Sequence, residues 1–227
     1  MRESIGLLFV LVAVTGSSGG GQDKAITPDL NKIVGGKGWD VHHATPESVE
    51  VDGKRAVRLK ATGDSADGIV GLVLAEGVEF STGVIEVDLK GKSARGRSFL
   101  GVAFNVTDEQ TFEAVYFRPF NFKAENEFKS RAVQYIAWPK HTWEELRTNR
   151  PGKFEGPVDS VPDPDKWFHV RIEIEETKVR VFANEAKKPC LAVERLAKNA
   201  TSRRMGLFVD SADGLYAGLK IIPTKNG

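Results

Sequence analysis

Apolar and polar residues alternate in short runs along most of this chain. Residues 84–90 are the cleanest case. Ile85, Val87 and Leu89 fall on one face, and Glu86, Asp88 and Lys90 on the other, as a half-buried strand requires. Residues 168–174 repeat the pattern with Val170, Ile172 and Ile174 inward. Residues 179–183 follow after Glu175-Glu176-Thr177, which predicts a hairpin. Residues 54–59, 99–105, 112–118, 132–138, 205–209 and 215–222 read as further strands, rich in β-branched and aromatic side chains. The run IVGLVL at 69–74 is continuously apolar, the signature of a strand covered on both faces. Residues 190–198 fit a strand followed by a turn, and residues 142–147 a single helical turn.

Turn-forming clusters separate these runs: Asp52-Gly53, Thr62-Gly63-Asp64, Gly91-Lys92, Pro162-Asp163-Pro164-Asp165 and Asp213-Gly214. Roughly ten short strands punctuated in this way predict an all-β fold, a two-sheet antiparallel jelly-roll sandwich, rather than a parallel α/β sheet. The longest irregular stretch, 139–166, carries five prolines together with His141 and Trp143. Its aromatic residues predict an ordered loop packed over one face. A single domain is expected over residues 30–224.

The N-terminus differs in kind. Arg2 precedes the apolar run IGLLFVLVAV at 5–14, and small and polar residues follow as far as Gly21. That is the plan of a secretory signal peptide over residues 1–21, too short in its apolar part for a stable membrane span. An exported protein, periplasmic or extracellular, is therefore expected, with no membrane insertion once the signal is cleaved. The 227 residues carry 32 basic and 31 acidic side chains, a net charge of +1, which gives no reason to expect nucleic acid as a partner. Cys190 is the single cysteine, so no intrachain disulfide can form, and it reads as a small buried hydrophobe. No metal or cofactor motif is present. The adjacent His42 and His43 would point to opposite faces of a strand and so make a poor metal pair.

The block FEAVYFRPFNFKAENEFKSRAVQYIAWPKHTWEELR begins at Phe112. GVEFSTGVIEVDLKGKSARGRSFLGVAF stands upstream, and PDPDKWFHVRIEIEETKVRVFANEAKKPCLAVERL and GLFVDSADGLYAGLKI stand downstream. Over residues 35–222 this arrangement resembles the concanavalin A-like lectin/glucanase superfamily. Within it, the chain is similar to the 3-keto-disaccharide hydrolase or family-sixteen-like glycosidase domains of secreted bacterial proteins. The resemblance implies a jelly roll that binds or processes carbohydrate on its concave sheet face. The superfamily also holds laminin-G-like interaction modules, so the resemblance leaves the activity open.

Glu86 and Asp88 share a strand face about 7 Å apart, a separation suited to acid/base glycoside chemistry. A glycoside hydrolase using this pair is one reading. The laminarinase-like pattern requires a further glutamate, and Lys90 and Gly91 stand where it would be. The other reading of the pair is a solvated strand face. Arg118, at a strand end beside Tyr116 and Asn121, could clamp a sugar hydroxyl or carboxylate with its planar fork. It could instead form a cross-strand ion pair with Glu86 or Asp88. Gln134 is an amide inside an apolar run and needs partners, from a ligand or from a neighbouring loop. His141 and Trp143, next to Trp138 at the start of the long loop, offer a hydrogen-bonding imidazole and a ring on which a sugar could stack. The ligand-binding candidates are thus Tyr116, Arg118, Asn121, Gln134, His141 and Trp143. A non-catalytic structural module of the laminin-G-like type remains as a third reading.

Overall fold

The computed structural model describes residues 24–197 and 202–224. The segment 1–21, expected to be a signal peptide, lies outside the described residues. The chain forms two seven-stranded sheets. The first contains, in spatial order, β1 (Trp39–His42), β4 (Gly71–Ala75), β13 (Met205–Asp210), β6 (Phe99–Asp108), β7 (Thr111–Phe117), β8 (Val133–Trp138) and β9 (Glu155–Gly156). The second contains β12 (Leu191–Glu194), β11 (Lys178–Ala183), β10 (Phe168–Ile174), β5 (Gly83–Lys90), β14 (Asp213–Pro223), β3 (Lys54–Ala61) and β2 (Ala44–Val51). Every neighbouring pair is antiparallel. The expected jelly-roll sandwich is therefore the observed fold, and β10 and β11 form the expected hairpin.

The inner faces follow from the alternation. Ile85, Val87 and Leu89 are fully buried and register with Ile172, Val170 and Phe168 on β10. Phe117 of the first sheet meets Phe168 of the second edge to face at 5.3 Å, so these positions point into the interlayer core. Burying each such aliphatic side chain contributes about 1.5–3 kcal/mol. The outer faces of the two sheets differ. On the second sheet, β5 and β10 alternate strictly between buried and half-buried positions, and the outward residues form ion pairs. On the first sheet, β4, β8 and β13 are buried at every position and β7 at all but its first. Helix α1 (Trp143–Asn149) and its flanking loop cover that outer face, with Leu146 buried beneath it.

Three strands have little sequence signal. β1 and β9 are short edge strands of one sheet, and β2 is the edge of the other. β2 contains Pro46 and is at most half-buried, which only an edge position tolerates. His43 also departs from strand alternation. Its φ of 51° turns the chain between β1 and β2, so His42 and His43 both reach Glu109, at 2.8 and 2.6 Å, instead of pointing apart. Cys190 is half-buried, donates its thiol to the Val181 carbonyl at 3.3 Å, and is pushed up to about 12 by burial.

Candidate functional site

β7 ends at Phe117 because Pro119 has no N–H to continue the ladder. The chain then makes a 3-10 turn over Pro119–Asn121 and a second over Glu127–Arg131 before returning as β8. This excursion folds over the outer face of the first sheet opposite α1. Between them lies a cavity of about 310 Å³. Its floor is the outward row of the sheet. Tyr116, one residue out of phase with the inward Phe117, registers with Gly101 on β6 and Gln134 on β8. Gly101 in turn registers with Phe208 on β13. The Tyr116 and Phe208 rings stack at 5.2 Å. Since strands lie about 4.8 Å apart, the two rings lean together over the glycine between them.

Arg118 is the central cation. It is 5% exposed. Its Nη2 donates to the Tyr116 hydroxyl at 2.8 Å and to Gln134 Oε1 at 3.3 Å, and its Nη1 donates to the Arg131 carbonyl at 3.1 Å. Gln134 Nε2 donates to the Tyr135 and Phe154 carbonyls, which aims its oxygen at Arg118. Asn121 Nδ2 shares the Arg131 carbonyl at 3.1 Å. Burial lowers the Arg118 guanidinium from its ordinary value, with Tyr116 and Glu155 acting in the opposite sense. A guanidinium has enough margin to stay charged. Burial also pushes the Tyr116 phenol up to about 12, so its hydroxyl stays neutral.

The walls combine rings with charge. Phe99, Phe120, Phe128 and Trp143 are all half-buried and line the cavity. Arg147 lies one helical turn after Trp143 and stacks on its indole at 4.8 Å. Arg147 also donates to both oxygens of Glu155 on β9. Phe128 lies between two guanidiniums, Arg95 at 4.2 Å and Arg131 at 5.1 Å. On the remaining side Asp210 accepts from the Ser65 N–H and the Ser211 hydroxyl, and its carboxyl is raised by burial.

The six ligand-binding candidates of the sequence divide into three groups. Tyr116, Arg118, Asn121 and Trp143 line the cavity. Gln134 lies behind Arg118 and orients it. His141 is outside the lining; it bridges to Ala137 and its Nδ1 meets Glu145 Oε2 at 3.0 Å. Glu86 and Asp88 lie on the outward face of the other sheet, across the sandwich from the cavity. Glu86 pairs with Lys220 at 3.0 Å, and Asp88 with Lys54 at 2.6 Å and His169 at 2.8 Å. Neither meets Arg118, whose nearest carboxylate is Glu155 at 3.9 Å. Sequence reasoning missed Arg95, Phe99, Phe120, Phe128, Arg131, Arg147 and Asp210. The repeated pairing of Arg with Phe or Trp between residues 95 and 147 was the available signal. Among the described residues, no group of three or more His, Cys, Asp or Glu side chains is placed to hold a metal ion. No described helix is long and apolar enough to cross a membrane.

No family model matches the chain, and no curated protein matches it. Solved structures do. The carbohydrate-binding module CBM66 from Bacillus subtilis superposes with a TM-score of 0.55 at 15% identity, covering 81% of this chain and 95% of that one. A protein of unknown function with a galectin-like fold from Bacillus subtilis gives 0.52 at 13% identity, over 82% and 89%. The exoplasmic/lumenal domain of VIP36, in its Ca²⁺/Man3GlcNAc-bound form, gives 0.52 at 12% identity, over 84% and 85%. At these identities the likeness is one of fold, and it agrees with the strand order and register above: the chain has the galectin-like, concanavalin A-like β-sandwich fold.

Proposed function

We propose that this protein is a carbohydrate-binding domain and that the cavity over β6, β7 and β8 is its sugar site. The observation that carries this reading is the composition of the lining. Four half-buried aromatic rings surround a buried Tyr116–Arg118 pair and Asn121. Apolar sugar faces stack on rings while hydroxyls need fixed donors and acceptors, and this pocket presents both. Its volume of about 310 Å³ falls at the low end of small-molecule sites, roughly 300–1,000 Å³. That suits a small saccharide or the end of a longer one. Two of the similar folds, CBM66 and VIP36, are a carbohydrate-binding module and a Man3GlcNAc-bound domain by their descriptions, which supports a carbohydrate partner here. The apolar run at residues 5–14 supports export, so the ligand would be met outside the cytoplasm.

Binding rather than hydrolysis is the reading we favour. The carboxylates within the cavity wall, Asp64 and Asp210, accept from the backbone N–H groups of Ala66 and Ser65. The Glu86 and Asp88 pair is on the opposite face and engaged by cations. The test is retention on a panel of polysaccharides, with calorimetry on the oligosaccharides retained. Trp143→Ala should weaken binding by roughly five- to thirtyfold, since one stacking ring is worth about 1–2 kcal/mol. Retention on no polysaccharide, by the wild type and Trp143→Ala alike, would remove the proposal.

A further inference from the structure

Resting on the sugar-site reading, we propose that the ligand is an acidic saccharide, one whose sugar units carry carboxylate or sulfate, running from the cavity into the groove beside it. The charge inventory of the cavity is the ground for this. Four guanidiniums, Arg95, Arg118, Arg131 and Arg147, line it against two carboxylates, Asp64 and Asp210, which accept from the Ala66 and Ser65 N–H groups and the Ser211 hydroxyl. Glu155 is the one carboxylate near three of them. It is taken up by Arg147 through both oxygens, and lies 3.9 Å from Arg118 and 4.0 Å from Arg131. Arg95 meets no carboxylate among the described residues, only the face of Phe128. Arg118 hydrogen-bonds only to dipoles, a phenol, an amide oxygen and a backbone carbonyl, and its one carboxylate, Glu155, is shared with Arg147 and Arg131. A cation removed from water in this way is costly unless an anion answers it. A bound carboxylate or sulfate supplies that anion, and the planar guanidinium fork matches it bidentately.

The surplus continues past the cavity. A neighbouring groove of about 620 Å³ shares Asp64 and Ser211 with it and is lined by Arg58, Lys60, Lys92 and Arg97. Asp213 answers Arg58 and Lys92. Lys60 and Arg97 have no carboxylate partner among the described residues. The basic track is local, because the whole chain carries a net charge of only +1. It therefore concentrates an anion at one place instead of attracting anions everywhere.

The experiment is calorimetry on the full chain against three probe sets of matched length: uronate oligosaccharides, sulfated oligosaccharides and neutral oligosaccharides. The acidic sets should bind more tightly than the neutral set, and their affinity should fall as salt is raised to about 0.5 M, where screening reaches within a few ångströms. Arg95→Gln in the cavity and Arg97→Gln in the groove are exposed changes that leave the core intact. Each should weaken the acidic ligand by roughly three- to fivefold, as exposed ion pairs do, and Arg97→Gln, outside the cavity, should leave neutral sugars unaffected. Preference for the uronate set over the sulfated set, or the reverse, identifies the anionic group. Binding of neutral oligosaccharides alone, or acidic ligands held equally by wild type and both variants, would overturn this proposal while leaving the sugar site standing. Binding of none of the three sets would remove both.

Discussion

Glu113 shows what a single residue contributes to this fold. It interrupts an apolar strand on the core side and has no exposed surface. Arg195, beyond β12 of the opposite sheet, donates to both of its oxygens, and the Tyr135 hydroxyl and Asn105 Nδ2 complete its shell. The pair is a bolt between the two sheets. Glu113→Gln leaves Arg195 buried without its counter-charge, and should lower the unfolding free energy by about 3–5 kcal/mol in urea titration. The double replacement Glu113→Leu with Arg195→Met should recover much of that loss. Asp210 behaves differently. Its carboxyl is raised by burial, with Asp64 adding to the effect. The native state thus holds the proton more tightly than the unfolded chain does. Stability from this group is full below the ordinary carboxylate range and declines as pH rises through the raised native value. Asp210→Asn keeps an oxygen for Ser65 and Ser211 and removes the titration. In melting curves between about pH 4 and pH 7, the wild type should lose ground against this variant as pH rises.

At the scale of elements, the cavity depends on two small features. Gly101 lies between Phe208 and Tyr116 in register, and a Cβ there would collide with the Val115 carbonyl and, at 2.6 Å, with the Tyr116 Cα. Gly101→Ala should push β7 away from β6 and disturb the stacked rings. A loss of about 1–3 kcal/mol, together with weaker saccharide binding, is the expected result by denaturation and calorimetry. The second feature is the start of α1, where the Thr142 hydroxyl accepts from the Glu145 N–H at 3.3 Å. Trp143 and Arg147 are both carried by this helix of seven residues. Thr142→Ala should cost about 1 kcal/mol and loosen both side chains, so binding should weaken in a variant that still folds.

The whole molecule divides its labour between two outer faces. The second sheet presents a solvated lattice of ion pairs: Lys220 with Glu86, Lys54 and His169 with Asp88, Arg180 with Glu173 and Glu175. Exposed pairs of this kind contribute at most about 1 kcal/mol each. The joint change Glu86→Gln with Asp88→Asn should therefore shift unfolding by no more than about 1–2 kcal/mol and leave saccharide binding at its wild-type value. Loss of binding in that variant would move the site to this sheet. The first sheet is covered by the 119–131 excursion and by α1, and its outer face is where rings and guanidiniums converge.

The local signals in the chain determined the fold and even the asymmetry between its sheets. Strict alternation at 84–90 and 168–174 marks strands wetted on one side. The continuous apolar run at 69–74 marks a strand covered on both, because a side chain facing solvent has no reason to be apolar. The edge strands β1, β2 and β9 were not legible, since an edge buries little and can carry Pro46 or polar residues without penalty. The smaller part of the candidate site was legible in the same local way. Tyr116, Arg118 and Asn121 stand at one strand end, and Trp143 opens a capped helix. The rest was decided by tertiary structure. Arg95 follows β5, Arg131 precedes β8, Arg147 lies on α1 and Asp210 ends β13, and only the stacking of β13, β6, β7 and β8 brings these distant segments to one cavity. The same folding separates Glu86 and Asp88 from Arg118 by the full thickness of the sandwich, because a strand's side chains choose a face by parity, and the two strands belong to opposite sheets.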